Sequence, residues 1–137
     1  MKTTDLKATD VNVTGVGANM TVEFPTPSSA SQFSQKDIKV GTGAAAMVGS
    51  TITVNYYLAG AITGTKIESS FGAQPATFPL EQGGLIQGWI QGIPGMKVGG
   101  ERILVIPGNL AYGPQGRPPQ IQPDETLVFV VQLIKIG

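Results

Sequence analysis

The sequence predicts an α+β fold in which an antiparallel β-sheet is covered on one face by a single short α-helix. Three observations predict it. In "STITVNYYLA", Ile52, Val54, Tyr56 and Leu58 alternate with Thr51, Thr53, Asn55 and Tyr57, the period-two pattern of a half-buried strand. The closing segment, "ETLVFVVQLIKI", is an apolar run long enough to cross a whole sheet. Between them Leu85, Ile86, Trp89 and Ile93 recur at spacings of three and four, which gathers them on one helical face. A sheet that buries one face needs cover, and this helix is the segment able to supply it.

The remaining elements follow in chain order. Residues 1–32 read as an N-terminal arm, separate from a domain spanning 33–137. In the arm, Val11 and Val13, then Met20, Val22 and Phe24, alternate around "TGVGAN" as a small hairpin or an added edge strand would. Pro25 and Pro27 in "FPTPSSASQ" then force an extended turn and a linker. "GAQPATFPLEQ" holds a short strand that leads into the helix. The helix itself is crowded by Gly83, Gly84, Gly88, Gly92 and Gly95. Each interior Gly costs about 1 kcal/mol relative to Ala, so packing alone is a poor reason to place the only tryptophan there. "GERILVIP" is the next strand. From Pro107 to Thr126, "GNLAYGPQGRPPQIQPDE" carries four prolines and three glycines and reads as a long, stiffened loop. Ile103, Val105, Val128, Val130 and Ile134 should face away from the helix, apolar where a solvated sheet face is polar. Residues 10–24, or a partner, are expected to cover part of this patch.

Composition narrows the chemistry. A chain of 137 residues with 41% hydrophobic residues can bury one sizeable core. Nine basic residues balance nine acidic ones with no basic run, so nucleic-acid binding through phosphates is not expected. The chain has no cysteine and no histidine, which excludes disulfides, cysteine nucleophiles, His-dependent triads and Cys/His metal sites. Its apolar runs fall short of the roughly 18 residues of a membrane span. The carboxylates are scattered, and neither a GxGxxG nor a P-loop occurs. The expectation is a protein with no metal, no cofactor, no nucleic acid and no membrane span. What remains is an aromatic and aliphatic set: Tyr56, Phe78, Ile86, Trp89, Tyr112 and Phe129. It could be plain core. Tyr112 argues for a pocket, because a tyrosine in a Pro/Gly-rich loop presents its hydroxyl to a cavity rather than filling a core.

At these residues the chain resembles the FKBP family of peptidyl-prolyl cis/trans isomerases, the fold that also binds tacrolimus and rapamycin. "VNYYLAG" resembles the family's V-x-Y-x-G strand, "KIESS" its F-D-S-S turn and "ATFPL" the strand after it. "LIQGWIQGIPGMKVGGERILVIPGNLAYG" resembles the V-I-x-G-W block through L-A-Y-G, and "ETLVFVVQLIKI" the closing strand. The resemblance runs from about Phe33 to Gly137 and looks bacterial.

The resemblance implies a half-wrapped antiparallel β-sheet with one short α-helix across its concave face. It implies rotation of X–Pro bonds in an apolar pocket, without a cofactor, in the service of protein folding. Trp89 would form the pocket floor, and the glycines would keep the helix short and let backbone approach the ligand. Tyr56, Leu85, Ile86, Trp89 and Phe129 would grip the proline, with backbone groups of Gly84 and Ile86 bonding the peptide. Tyr112 would donate a hydrogen bond to a substrate carbonyl, and Ile121 would close one wall. Glu68 stands where the family has an Asp, and Ile67 and Ala76 stand where it has aromatics. Tyr112, Glu68, Trp89 and Phe129 are thus the expected catalytic set; Tyr56, Ile67, Gly84, Leu85, Ile86 and Ile121 are the expected substrate contacts. With Gln120 and Arg117 in the loop, the rim should be shallower and more polar, although Arg117 itself reads as an exposed loop residue. Implied partners are proline-containing peptides or unfolded proteins, and tacrolimus or rapamycin with reduced affinity. The other reading is a non-catalytic module of the same fold that binds peptide or protein. Low charge, Thr/Ser-rich ends and the linker point outside the cytoplasm, behind a leader not present in this chain.

Overall fold

The computed structural model describes residues 4–15, 17–117 and 119–137. The described strands are β1 (Thr4–Asp5), β2 (Asn12–Thr14), β3 (Thr21–Glu23), β4 (Ser28–Ser29), β5 (Ser34–Lys39), β6 (Thr51–Gly60), β7 (Lys66–Ser69) and β8 (Ala76–Pro79). The helix α1 (Gln87–Gly92) follows, then β9 (Glu101–Ile106) and β10 (Leu127–Ile136). The main sheet has six strands in the order β5-β9-β10-β6-β7, with β8 also paired to β6. Every pairing within it is antiparallel. This is the α+β architecture the sequence predicts, an antiparallel sheet with one short helix.

β10 lies at the centre of the sheet, between β9 and β6. Its register sets Phe129 opposite Leu58 on one side and opposite Leu104 on the other. Because side chains alternate along a strand, Leu127, Phe129, Val131 and Leu133 point to one face and Val128 and Val130 to the other. The first face packs against the helix residues Trp89, Ile90 and Ile93, with Ile52, Val54 and Leu58 from β6. The second belongs to a separate core made with the N-terminal arm: Leu6, Ala8, Val11 and Val22 cover Ile103, Val105, Val128 and Val130. The sheet is therefore buried on both faces.

The arm does cover the apolar patch, and it does so from Leu6 onwards rather than from residue 10 alone. β2 and β3 form the expected small hairpin, with Val13 opposite Val22. Hydrogen bonds fasten the arm along its length, from Ala8 N to Ser34 Oγ at 2.9 Å and from Ala30 N to Thr126 Oγ1 at 2.8 Å. Tyr57, read from the sequence as the polar side of β6, is buried under the arm as well. Ile134 differs from the rest of the patch. It lies at the register shift between Leu133 and Lys135, outside the arm's reach, and stays 38% exposed.

Two further features carry consequences for the helix. Gly88 and Gly92 face β9: a Cβ on Gly88 would lie 2.4 Å from Ile106, and one on Gly92 would lie 2.7 Å from Leu104. These glycines bring helix and sheet together rather than helix and ligand, which corrects the role the resemblance implied for them. β5 is a strand the sequence reading did not identify. It supplies Asp37, whose carboxylate accepts from Arg102 Nε at 2.6 Å. Arg102 in turn donates to the carbonyl of Gly92 at 2.7 Å, at the end of α1, so one buried guanidinium ties helix end, β9 and edge strand together.

Two outcomes follow for stability. Leu6→Ala should cost about 2–5 kcal/mol in urea unfolding, as for other fully buried leucines, and removal of residues 1–24 should lower Tm and promote self-association seen by size-exclusion chromatography. Gly88→Ala should also destabilise, by about 1–3 kcal/mol, because overpacking against Ile106 outweighs the better helix propensity of alanine. A rise in stability on Gly88→Ala would show that the close approach is not needed.

Candidate functional site

The helix, the helix-facing side of the sheet and the 107–126 loop enclose an open cavity of about 620 Å³. Trp89 is its floor. The indole is 4% exposed, held there because Gly88 and Gly92 let α1 settle onto β9. Three other rings meet it edge to face: Tyr56 at 5.7 Å and 79°, Phe78 at 5.4 Å and 87°, and Phe129 at 5.4 Å and 79°. Such T-shaped pairs set a positive ring edge against a negative face and favour one arrangement over sliding. Each partner comes from a different strand, β6, β8 and β10, so the box is fixed by the sheet. Among the described residues the Trp89 indole N–H is a buried polar atom with no hydrogen-bond partner.

One wall is polar. The Tyr56 hydroxyl donates to Glu68 Oε1 at 2.6 Å. Strand pairing creates this bond, since Glu68 lies opposite Leu58 in the β6–β7 register. Ser70 fixes the backbone beneath, with its Oγ accepting from Tyr56 N at 2.8 Å. Partial burial, and next the Glu68 carboxylate as acceptor, push the Tyr56 phenol far above the ordinary tyrosine range. Tyr56 is therefore a neutral donor at any physiological pH.

Another wall is the 107–126 loop, which holds two 3₁₀ turns at Gly108–Leu110 and Gly113–Gln115. Buried Glu125 anchors it, its carboxylate accepting from Gln122 N at 2.8 Å and from Ile62 N at 3.3 Å. Beyond the turns Arg117 and Ile121 exchange backbone hydrogen bonds of 2.9 and 3.0 Å. This two-residue bridge folds Arg117 back over Tyr112. Its guanidinium carbon sits 5.3 Å from the ring centroid, and Nη1 donates to the Tyr112 hydroxyl at 3.4 Å. That hydrogen bond first, and more distantly Glu68 and Tyr56, favour the charged form of Arg117.

Eight of the expected site residues line the cavity: Tyr112, Glu68, Trp89, Phe129, Tyr56, Gly84, Leu85 and Ile86. The structure does not place Ile67 or Ile121 on its wall. Ile67 packs against the core beside the cavity, where it is left unpaired by the register shift of β7 on β6. Ile121 is 2% exposed and serves as core under the loop, while its bridge partner Arg117 reaches the opening instead. Arg117 is exposed, as read from the sequence, and it borders the cavity, in keeping with the more polar rim expected from it. The signal was its place five residues after Tyr112, across a Pro-Gln-Gly turn. Leu58, Gln87 and Ala111 also line the cavity and were not singled out. Among the described residues, no three Asp or Glu side chains gather so as to hold a metal ion.

The chain is similar to known proteins in sequence and in fold. Residues 43–134 match the family model described as FKBP-type peptidyl-prolyl cis-trans isomerase. An FK506-binding protein of Streptomyces anulatus is 41% identical over 117 residues, covering 84% of this chain and 94% of that protein. Among solved structures, a peptidyl-prolyl cis-trans isomerase from Pseudomonas syringae superimposes with a TM-score of 0.69 at 30% identity, covering 77% of this chain and 75% of that one. FkpA from Escherichia coli gives the same TM-score at 37% identity, over 77% of this chain and 48% of its own.

The Tyr56–Glu68 bond makes an alkaline prediction. A folded-state pKa above the unfolded value contributes stability that is full below the ordinary tyrosine value of 10.0 and is lost as pH rises beyond it. Ultraviolet titration should show Tyr56 ionising far later than free tyrosine, with Tyr57 also raised, by burial alone. The Tyr56 step should vanish in Tyr56→Phe and move to lower pH in Glu68→Gln. An unmoved step in Glu68→Gln would show that the carboxylate is not its acceptor.

Proposed function

The chain belongs to the family of FKBP-type peptidyl-prolyl cis-trans isomerases, and on that premise we propose that its cavity seats a proline ring and speeds rotation of the X–Pro bond before it. The observation that carries the proposal is the box of three rings standing edge-on to Trp89 at the bottom of an open cavity. A flat, rigid, apolar floor suits a proline ring, and the polar wall and loop leave donors at the edge for the flanking peptide.

The reaction makes and breaks no bond. Its barrier of roughly 18–20 kcal/mol comes from the partial double-bond character of the amide, which is lost as the bond twists. A site accelerates it only by holding the twisted state better than the planar one. The Trp89, Phe78 and Phe129 surface offers nothing to the charge-separated planar amide and so favours the twisted form, where resonance is lost. The Tyr112 hydroxyl, at the cavity edge, anchors a peptide carbonyl while the proline stays seated. The Tyr56–Glu68 pair holds the wall in shape. The backbone of Gly84 and Ile86 faces the same space and supplies the remaining contacts with the extended peptide. Proline-containing peptides and unfolded chains are the substrates, and assistance to folding is the role. Tacrolimus and rapamycin would bind more weakly, because Ala76 is small and Ile67 sits off the cavity wall.

The test is exchange NMR on a short X–Pro peptide. The wild type should accelerate cis/trans exchange. Tyr112→Phe should lower kcat/KM about 2- to 10-fold, the worth of one hydrogen bond, and Trp89→Leu should lower it further while circular dichroism shows both variants folded. Shifted peptide signals without faster exchange would identify a binding module instead. No shift and no acceleration would overturn both readings.

A further inference from the structure

Two charged side chains border the cavity among the described residues, and they are placed differently. Glu68 is occupied, as acceptor of the 2.6 Å bond from Tyr56. Arg117 is exposed, and its side chain has a 3.4 Å bond to a neutral hydroxyl and the face of the Tyr112 ring. The ion pair within 4.0 Å among the described residues is Arg102 with Asp37, at the C-terminal end of the helix, so no carboxylate in contact neutralises Arg117. The side chain is nevertheless not loose. The backbone bridge to buried Ile121 fixes its base, and its tip is held over the Tyr112 ring and bonded to the ring's hydroxyl. A guanidinium so held keeps outward N–H groups for a planar anion, the geometry in which arginine pairs a carboxylate with two parallel bonds.

We propose that Arg117 is a specificity-determining residue that favours peptides carrying a carboxylate side chain next to the proline. The inference rests on the isomerase reading for the orientation of the peptide. With the proline on Trp89 and a carbonyl at Tyr112, the flanking residue passes the guanidinium held over that same ring. Glu68 opposes an acidic peptide from the other wall, but its charge is already shared with the Tyr56 hydroxyl. Exposure limits the gain: exposed ion pairs give about two- to fivefold in affinity, and salt weakens them.

The experiment uses the whole chain and two peptide series, with Glu, Gln or Lys either before or after the proline. Dissociation constants come from NMR shift titration and kcat/KM from exchange spectroscopy, at about 20 mM and about 300 mM salt, which bracket strong and weak screening. In at least one series the Glu peptide should bind about two- to fivefold tighter than the Gln peptide, with Lys weakest. That ratio should approach one in Arg117→Gln and at high salt, and should be partly kept in Arg117→Lys. Equal affinities in both series for the wild type, or a ratio that persists in Arg117→Gln, overturn the proposal. The binding ratios report on Arg117 even if exchange is not accelerated, and lack of acceleration for the uncharged Gln peptides counts against the isomerase reading alone.

Discussion

The central strand is apolar on both faces, and most of the molecule answers that constraint. Leu127 to Val131 is an unbroken apolar run in which every residue is buried. A central strand of this kind cannot have one face in water, since each exposed Val or Leu forgoes about 1.5–3 kcal/mol of burial. One face is met by α1 and its tryptophan. The other is met by the N-terminal arm, whose short strands and turns are held by that patch and by hydrogen bonds to Ser34, Ala61 and Thr126. The arm is thus an integral layer and not a tail, although its hairpin alone would be marginal.

The same constraint fixes the floor of the site. A helix of six residues has little stability of its own, and four of its residues are buried. Its position comes from contact with β9 at glycine distance and from Arg102, which clamps its last carbonyl. Trp89 is then held where rings from three strands converge. The cavity exists because the helix covers only part of the sheet. Around Trp89, the rings of Phe78, Tyr56 and Phe129 extend the apolar surface into the cavity lining.

How much of this could be read in the sequence depends on where each residue's information lies. β6 and β10 were legible because burial on one face or both imprints a pattern on the strand itself. The aromatic box was legible through motif resemblance and through the oddity of a tryptophan among glycines. β5 was not legible: "SQKDIK" is a charged, exposed edge whose strand character comes from β9, not from its own side chains. Nor was the role of Gly88 and Gly92, since a sequence shows that a side chain is missing but not which surface needs it missing. Ile121 was not legible either: an isoleucine in a loop reads as a wall, and the backbone bridge to exposed Arg117 turns it into core instead.

Floor and rim therefore obey different rules. The floor is made of residues whose positions are over-determined by two cores, and substitutions there change stability along with binding. The rim hangs on Glu125 and one small bridge within a proline-stiffened loop, where a side chain can change without disturbing the sheet. A fold built this way can keep one floor while the side chains of its rim change. Arg117 lies on the rim side of that division. Its ring partner, Tyr112, is half-buried and belongs to both sides. The aromatic box is held by three strands of the sheet, and the Arg117–Tyr112 pair is carried by the loop alone.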